Sequence, residues 1–114
     1  FLLLTQANLK QNFPTIKTSL DKLSLSMYCS EIVRRSTSFN QPNPPLFYSF
    51  KKTLEKINTE TESLSKIKKN FETQYLISEG LIPKNANPPS FIQFKDYYEN
   101  YTSYSLPKPM TYIQ

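Results

Sequence analysis

The densest positive charge in this sequence is a group of three lysines, Lys66, Lys68 and Lys69, in the segment KIKKNF. Residues three apart on a helix lie on neighbouring turns, so Lys66 and Lys69 are expected to project together. Ammonium groups in this arrangement can contact nucleic-acid phosphates or the carboxylates of an acidic peptide. The alternative is an ordinary solvated helix face, and the spacing alone leaves both interpretations open.

Four further basic residues could extend this positive surface. They form two adjacent pairs, Arg34 with Arg35 and Lys51 with Lys52. The chain has 14 Lys and Arg against 9 Asp and Glu, and its formal charge is +5. This balance fits a polyanionic partner such as nucleic acid, but many proteins without such a partner carry a similar excess. From charge alone we favour an ordinary surface.

The sequence does not contain the residue sets of common catalytic centres. It has no His to act as a base, no Gly-rich phosphate loop and no helix with two carboxylates at metal-ligand spacing. Its single cysteine, Cys29, lies in an apolar stretch typical of a core residue, and a Cys/His zinc site cannot be assembled from this sequence. We therefore expect no enzymatic activity, no metal, no cofactor and no small-molecule substrate.

Two acidic residues, Glu31 and Glu72, stand on otherwise apolar helical stretches. A buried carboxylate without a partner is costly, so we expect each to make a hydrogen bond or an ion pair between helices.

Five of the eight tyrosines follow Lys84. Rings beside Lys95 and Lys108 could stack unpaired bases. We favour the simpler interpretation that these tyrosines cover the core with their apolar bodies and keep their hydroxyls in water.

Helices are expected to position these residues. The pattern of residues 13–36 predicts either one long helix or two helices separated by a break, with Pro14 in the first turn. Two apolar stripes run along it, one of Ile16, Leu20, Leu23 and Met27, the other of Leu25, Tyr28, Ile32 and Val33. A helix that is apolar on two faces is expected to lie at the centre of the fold.

Two more helices follow a loop at residues 36–45 that is rich in Pro and Asn. The second helix has an apolar face of Leu46, Phe47, Phe50, Leu54 and Ile57, and the third has one of Leu64, Ile67, Phe71 and Tyr75. Thr59 and Glu62 fit a capping box before the third helix. Gly80, the only glycine, suits a left-handed C-cap, and Pro83 prevents continuation.

The chain is expected to have three parts. Residues 1–7 look like the last strand of a preceding domain, and they are too short for a signal peptide or a membrane span. Residues 8–83 form the helical domain, and residues 84–114 form a Tyr- and Pro-rich tail that packs on the helices or is disordered. Within the tail, Ser90 could cap a short helix reaching Asn100, anchored by Phe91, Phe94, Tyr97 and Tyr98. A single glycine argues against a sheet protein, so we predict an all-α bundle of three to four helices.

Three segments of this chain follow one another in a specific order. The first segment is TQANLKQNFPTIKTSLDKLSLSMYCSEIV, which carries Tyr28 and Glu31. The second is NPPLFYSFKKTLEKI, which carries Pro45, Leu46 and Phe47. The third is KKNFETQYLISEGLIP, which carries Lys69, Phe71, Glu72, Leu76 and Gly80. Together they resemble the C-terminal helical domain of RecO, the bacterial recombination mediator, over residues 5–83. Many RecO proteins add a four-cysteine zinc site and two arginines before Phe-Glu. This chain has no cysteine there, and it has Lys69 and Asn70 in place of the arginines.

The resemblance implies a non-enzymatic role in DNA repair and homologous recombination, in the cytoplasm at the nucleoid and without a membrane. RecO proteins bind single- and double-stranded DNA and anneal complementary strands. They engage the acidic, Phe-ended tail of single-stranded-DNA-binding protein, and with RecR they help to load RecA. By this resemblance Lys69 meets the acidic tail, and residues 1–7 end an oligonucleotide-binding domain. We add Lys66 to the tail site as a hypothesis, and we expect Arg34, Arg35, Lys51 and Lys52 to contact DNA phosphates.

The alternative comes from a different class of function. A structural helical domain, or a protein-interaction module, would have the same helices but no DNA binding of its own. Salt-dependent affinity for DNA distinguishes the two.

Overall fold

The computed structural model describes residues 13–36 and 43–107, apart from the side chain of Lys17. After a short 3-10 turn, Ile16–Thr18, come four α-helices: α1 Leu20–Ser36, α2 Pro44–Thr59, α3 Leu64–Ser78 and α4 Phe91–Thr102. No strand occurs in this described part, and the predicted all-α bundle is confirmed. The predictions for residues 1–7 and Lys108, and for most of the loop before α2, concern residues outside the described ranges.

The helix boundaries follow local capping chemistry. Asn43 caps α2 by accepting a hydrogen bond from the Leu46 N–H at 3.2 Å, with prolines in the first turn. The capping box predicted from Thr59 and Glu62 is wrong, because Thr59 is still the last residue of α2. The cap of α3 is instead Ser63, whose hydroxyl accepts from the Lys66 N–H.

Gly80 ends α3 as predicted. Its φ is +74°, in the left-handed region that favours glycine. The Gly80 N–H donates to the Ile77 carbonyl at 3.0 Å, and the Leu81 N–H donates to the Leu76 carbonyl at 2.9 Å. This pair of bonds is a Schellman motif, and it turns Leu81 back against the core.

Helices α1, α2 and α3 pack against one another, and α4 packs on α3. The face of α1 that carries Leu25, Tyr28 and Ile32 is buried together with Cys29, which confirms the second predicted stripe. The first stripe is partly wrong, because Leu20 and Met27 are exposed. Apolar faces on α2 and α3 complete the core with Leu46, Phe50, Leu54, Ile57, Ile67, Phe71, Tyr75 and Leu76.

Helix α4 docks through two aromatic residues. Phe94 and Tyr98 are fully buried, with ring centroids 5.9 Å and 5.8 Å from that of Tyr75 on α3. Ser90 caps the helix in a capping box with Gln93, as the sequence indicated for Ser90. Phe91 and Tyr97 were expected to be anchors too, but both are exposed.

Alkaline pH is expected to destabilise this core. Burial raises the pKa of the Cys29 thiol and of the Tyr28 and Tyr75 phenols. Above about pH 9 the unfolded chain loses these protons while the folded chain keeps them, so the free energy of unfolding must fall as the pH rises. Urea unfolding at pH 7.5 and pH 10 measures this. Tyr75→Phe should reduce the difference in the free energy of unfolding between the two pH values, because it removes one of these buried phenols. Equal stability of the wild-type protein at both pH values would contradict the prediction.

Candidate functional site

A pocket of about 420 Å³ opens between the start of α3 and the start of α4. Lys66 and Lys69, both exposed, supply positive charge to its lining. Pro89 and Phe91 supply apolar surface, and Ser63 adds a hydroxyl at the N-terminal end of α3. We call this the α3–α4 pocket. It brings two exposed lysines and one aromatic residue to the lining of the same pocket.

The core faces of α3 and α4 determine which residues reach this pocket. Ile67 and Phe71 are almost completely buried, so Lys66 and Lys69 are directed outward on the other side of α3. Phe94 anchors α4 in the core, and Phe91 lies nearly one turn earlier, at the rim of the pocket. The lysine positions therefore depend on local periodicity, whereas the position of Phe91 depends on how α4 docks.

A buried polar cluster forms the base of the α3–α4 pocket. The Lys68 ammonium donates a hydrogen bond to Glu72 Oε2 at 2.9 Å, and the Tyr28 hydroxyl donates to the same oxygen at 2.7 Å. All three residues are buried. The predicted bond between helices is confirmed for Glu72, because Tyr28 belongs to α1 and Glu72 to α3. Lys68, the third lysine of the KIKKNF segment, does not project with Lys66 and Lys69; it lies four residues before Glu72 and turns inward to pair with it.

Two aromatic rings enclose the Lys68 ammonium. Its Nζ lies 4.2 Å from the centroid of the Phe91 ring and 5.1 Å from that of Tyr28. Cation–π attraction of this kind, out of bulk water, stabilises both partners and holds the Phe91 ring over Lys68. Lys68 and Glu72 compensate each other's charge, so the net positive charge of the pocket comes from Lys66 and Lys69.

Arg34 and Arg35 lie at the C-terminal end of α1 and share one carboxylate. Arg34 donates two hydrogen bonds to Glu31, and Arg35 Nε is 3.3 Å from Glu31 Oε2. The hydrogen bond from Arg34, with the charge of both guanidinium groups, lowers the pKa of the Glu31 carboxyl. Glu31 thus has the predicted ion pair, but within α1 rather than between helices. Arg35 also donates to the Ser105 carbonyl at 3.0 Å, which ties the segment after α4 to α1.

Lys51 and Lys52 are exposed on α2. Lys52 lies 3.7 Å from Glu55, an exposed ion pair of the kind that contributes little to stability. It also lines a second groove, between α2 and α3, which Lys51 does not. The structure therefore brings Lys66 and Lys69 together in one pocket, and neither arginine lines that pocket or the groove that contains Lys52.

Across residues 13–36 and 43–107, no three His, Cys, Asp or Glu side chains are grouped so that they could hold a metal ion. None of the helices in these ranges has the length and apolar character needed to cross a membrane.

The comparison with protein families identifies the bundle. The model of the recombination protein O C-terminal domain matches residues 17–84, more than half of the chain and all of α1, α2 and α3. The chain belongs to the RecO C-terminal family. Family membership assigns it a role in recombinational DNA repair. No curated protein and no solved structure matches the chain.

The RecO match includes only part of the α3–α4 pocket. Lys66 and Lys69 fall within residues 17–84, whereas Pro89 and Phe91 lie beyond them. The RecO helices thus supply the positive charge, and the segment that follows them supplies the apolar wall.

Two contacts at the α3–α4 pocket were not predicted from the sequence: the ion pair of Lys68 with Glu72 and the cover of Lys68 by Phe91. The four-residue spacing of Lys68 and Glu72 was a readable signal for an ion pair within α3. No comparable signal indicated that Phe91 covers Lys68, because that contact depends on the path of the chain from Gly80 to α4.

Proposed function

We propose that this RecO-family chain is a non-enzymatic binding module of recombinational repair that recognises the acidic, Phe-ended tail of single-stranded-DNA-binding protein. The observation that supports this best is the α3–α4 pocket, which Lys66, Lys69 and Phe91 line together. An acidic peptide ending in Phe has carboxylates for the ammonium groups and an aromatic ring for the apolar wall. Both halves of such a ligand would find a partner in one pocket.

The proposed function also includes binding of DNA by this protein. Lys51 and Lys52 are exposed and suited to contact phosphates, and Arg34 is exposed beside its ion pair with Glu31. Arg35 is engaged with Glu31 and Ser105, so its contribution would require an exchange of partners. In this role the protein would bind single- and double-stranded DNA and support annealing. It would act with RecR to load RecA, in the bacterial cytoplasm at the nucleoid.

Charge reversal at Lys69 tests the peptide site. Lys69→Glu should weaken binding of an acidic Phe-ended peptide by about 2- to 30-fold, because an exposed ion pair is replaced by repulsion of similar size. Fluorescence anisotropy with a labelled peptide measures the affinity. Lys95→Glu makes the same charge change at an exposed position of α4 outside the pocket, and it should have a much smaller effect.

Two results would contradict the peptide site. One is an unchanged affinity in Lys69→Glu. The other is an equal loss in Lys69→Glu and Lys95→Glu, which would mean that only the overall charge of the protein matters. Phe91→Ala examines the apolar half of the site separately, since it removes the ring and leaves both lysines in place.

A structural helical domain without DNA binding remains the alternative class. It would have the same bundle and the same buried cluster, since these stabilise the fold whether or not a ligand binds. It would show no affinity for DNA that falls with added salt.

A further inference from the structure

The groove between α2 and α3 has a volume of about 740 Å³ and is distinct from the α3–α4 pocket. We call it the α2–α3 groove. Tyr48, Lys52 and Lys56 line it from α2, and Asn70 and Gln74 line it from α3. Its floor includes the buried side chains of Ile67 and Phe71.

The three residues from α2 form one row. Tyr48, Lys52 and Lys56 are spaced four apart, so they follow one another along a single face of the helix. The opposite face of α2 is buried in the core, which directs this row outward. The Tyr48 side chain is 65% exposed, and the Lys52 ammonium lies 5.5 Å from its ring centroid. A large and mostly exposed aromatic ring thus lies at the edge of the groove, with the Lys52 ammonium beside it and Lys56 one turn beyond Lys52.

The charge of the α2–α3 groove is positive. No carboxylate is among its lining residues. Within the described ranges, the one carboxylate that pairs with Lys52 is Glu55, in a weak and exposed ion pair, and no carboxylate pairs with Lys56. The attraction that the groove exerts is therefore for an anion.

The α3 wall offers polar groups that are neither acidic nor basic. Asn70 and Gln74 are exposed amides, and each can donate and accept hydrogen bonds. Asn70 makes a long hydrogen bond of 3.4 Å to Glu62, which a ligand could replace. Amides opposite a row of lysines suit a ligand that has both charged groups and hydrogen-bonding edges.

We propose that the α2–α3 groove binds single-stranded nucleic acid, with a base stacked on the Tyr48 ring and backbone phosphates at Lys52 and Lys56. This proposal rests on the DNA binding proposed above, and it specifies the strand type, the site and the residues. A positive groove with an exposed aromatic ring is the combination that binds single strands, because only an unpaired base can leave its neighbours and stack on a side chain. A duplex could use the lysines but not the ring.

The test compares two oligonucleotides that differ only in their bases. Tyr48→Ala should weaken binding of an oligo-dT by about 5- to 150-fold, the range expected for one lost base–aromatic stack. It should leave binding of an abasic oligonucleotide of the same length, and of a duplex, unchanged. Tyr97→Ala removes an exposed ring from α4, outside the groove, and should change none of the three affinities. Circular dichroism of both variants establishes that the helices are retained.

The double variant Lys52→Gln, Lys56→Gln tests the phosphate contacts. It should weaken binding of both oligonucleotides, and it should reduce the log–log salt slope by about 1.4 if two phosphates are lost. If Tyr48→Ala, like Tyr97→Ala, leaves the affinity for oligo-dT unchanged while the lysine double variant lowers that affinity, the groove binds phosphates without stacking a base. The proposal is then overturned, but the DNA binding on which it rests stands.

Two other outcomes also overturn the proposal. If the wild-type protein binds no oligonucleotide and no duplex at low salt, the DNA part of the proposed function fails with it, and a structural role is supported. If the lysine double variant loses affinity for the acidic Phe-ended peptide but not for oligo-dT, the groove is a peptide site. The peptide proposal then needs a different location.

Discussion

Replacing Glu72 with alanine should lower the free energy of unfolding by about 3–5 kcal/mol. One carboxylate oxygen of Glu72 accepts hydrogen bonds from both Lys68 and Tyr28, and all three side chains are buried. Removing the carboxylate would leave a buried ammonium and a buried hydroxyl without their acceptor, and the desolvation cost of both would remain. Urea unfolding followed by far-UV circular dichroism measures the loss.

Two matched variants separate this effect from general helix weakening. Glu31→Ala also removes a glutamate that pairs within its own helix, but at a partly exposed site, so it should cost less than about 1 kcal/mol. The double variant Glu72→Leu, Lys68→Met replaces the buried charges with apolar side chains and should recover the part of the loss that comes from the ammonium, while the Tyr28 hydroxyl still lacks its acceptor. If Glu72→Ala costs no more than Glu31→Ala, the cluster is hydrated in solution and does not form the base of the pocket.

Truncating Phe94 to alanine should cost about 3–5 kcal/mol, as for other large aromatic residues in a core. Phe94 is fully buried and packs edge-on against Tyr75, with ring centroids 5.9 Å apart. It belongs to α4, beyond the part of the chain that matches the RecO family. A loss of stability of this size would establish that α4 is part of the same core as α1, α2 and α3. The thermal midpoint should fall by roughly 4–8 °C for each kcal/mol.

Tyr97→Ala is the control for Phe94→Ala. Tyr97 is on the same helix but is exposed, so its truncation should change stability by no more than about 0.5 kcal/mol. If Phe94→Ala and Tyr97→Ala have the same thermal midpoint of unfolding, α4 is not docked on α3 in solution. In that case Phe91 would not be held over Lys68, and the apolar wall of the α3–α4 pocket would be absent.

How much of the fold was predictable depended on the number of apolar faces in each helix. Helix α2 has one face, with Leu46, Phe50 and Leu54 at helical spacing, and the structure buries all three. Helix α1 has two candidate stripes, and periodicity alone does not say which one meets the other helices. Packing selects the face with Leu25 and Tyr28, so Leu20 is left in solvent.

The candidate site was predictable to the extent that it depends on neighbouring residues in α3. Lys66 and Lys69 had to face away from Ile67 and Phe71, and they do. The burial of Lys68 was missed because the aromatic rings that enclose it come from α1 and α4. Sequence patterns describe one helix at a time, and they do not give contacts that form only when separate helices pack.

The α3–α4 pocket takes its two lysines and its aromatic wall from stretches of chain that lie on either side of the family boundary. Because Phe91 is exposed whereas Phe94 and Tyr98 anchor α4, the wall residue can be substituted without removing either lysine or undocking the helix. The attraction of the pocket for an anionic partner and its preference for the side chain that ends this partner are therefore expected to change separately on substitution. Chimeric proteins that exchange only the segment after Pro83 would transfer the second property without the first.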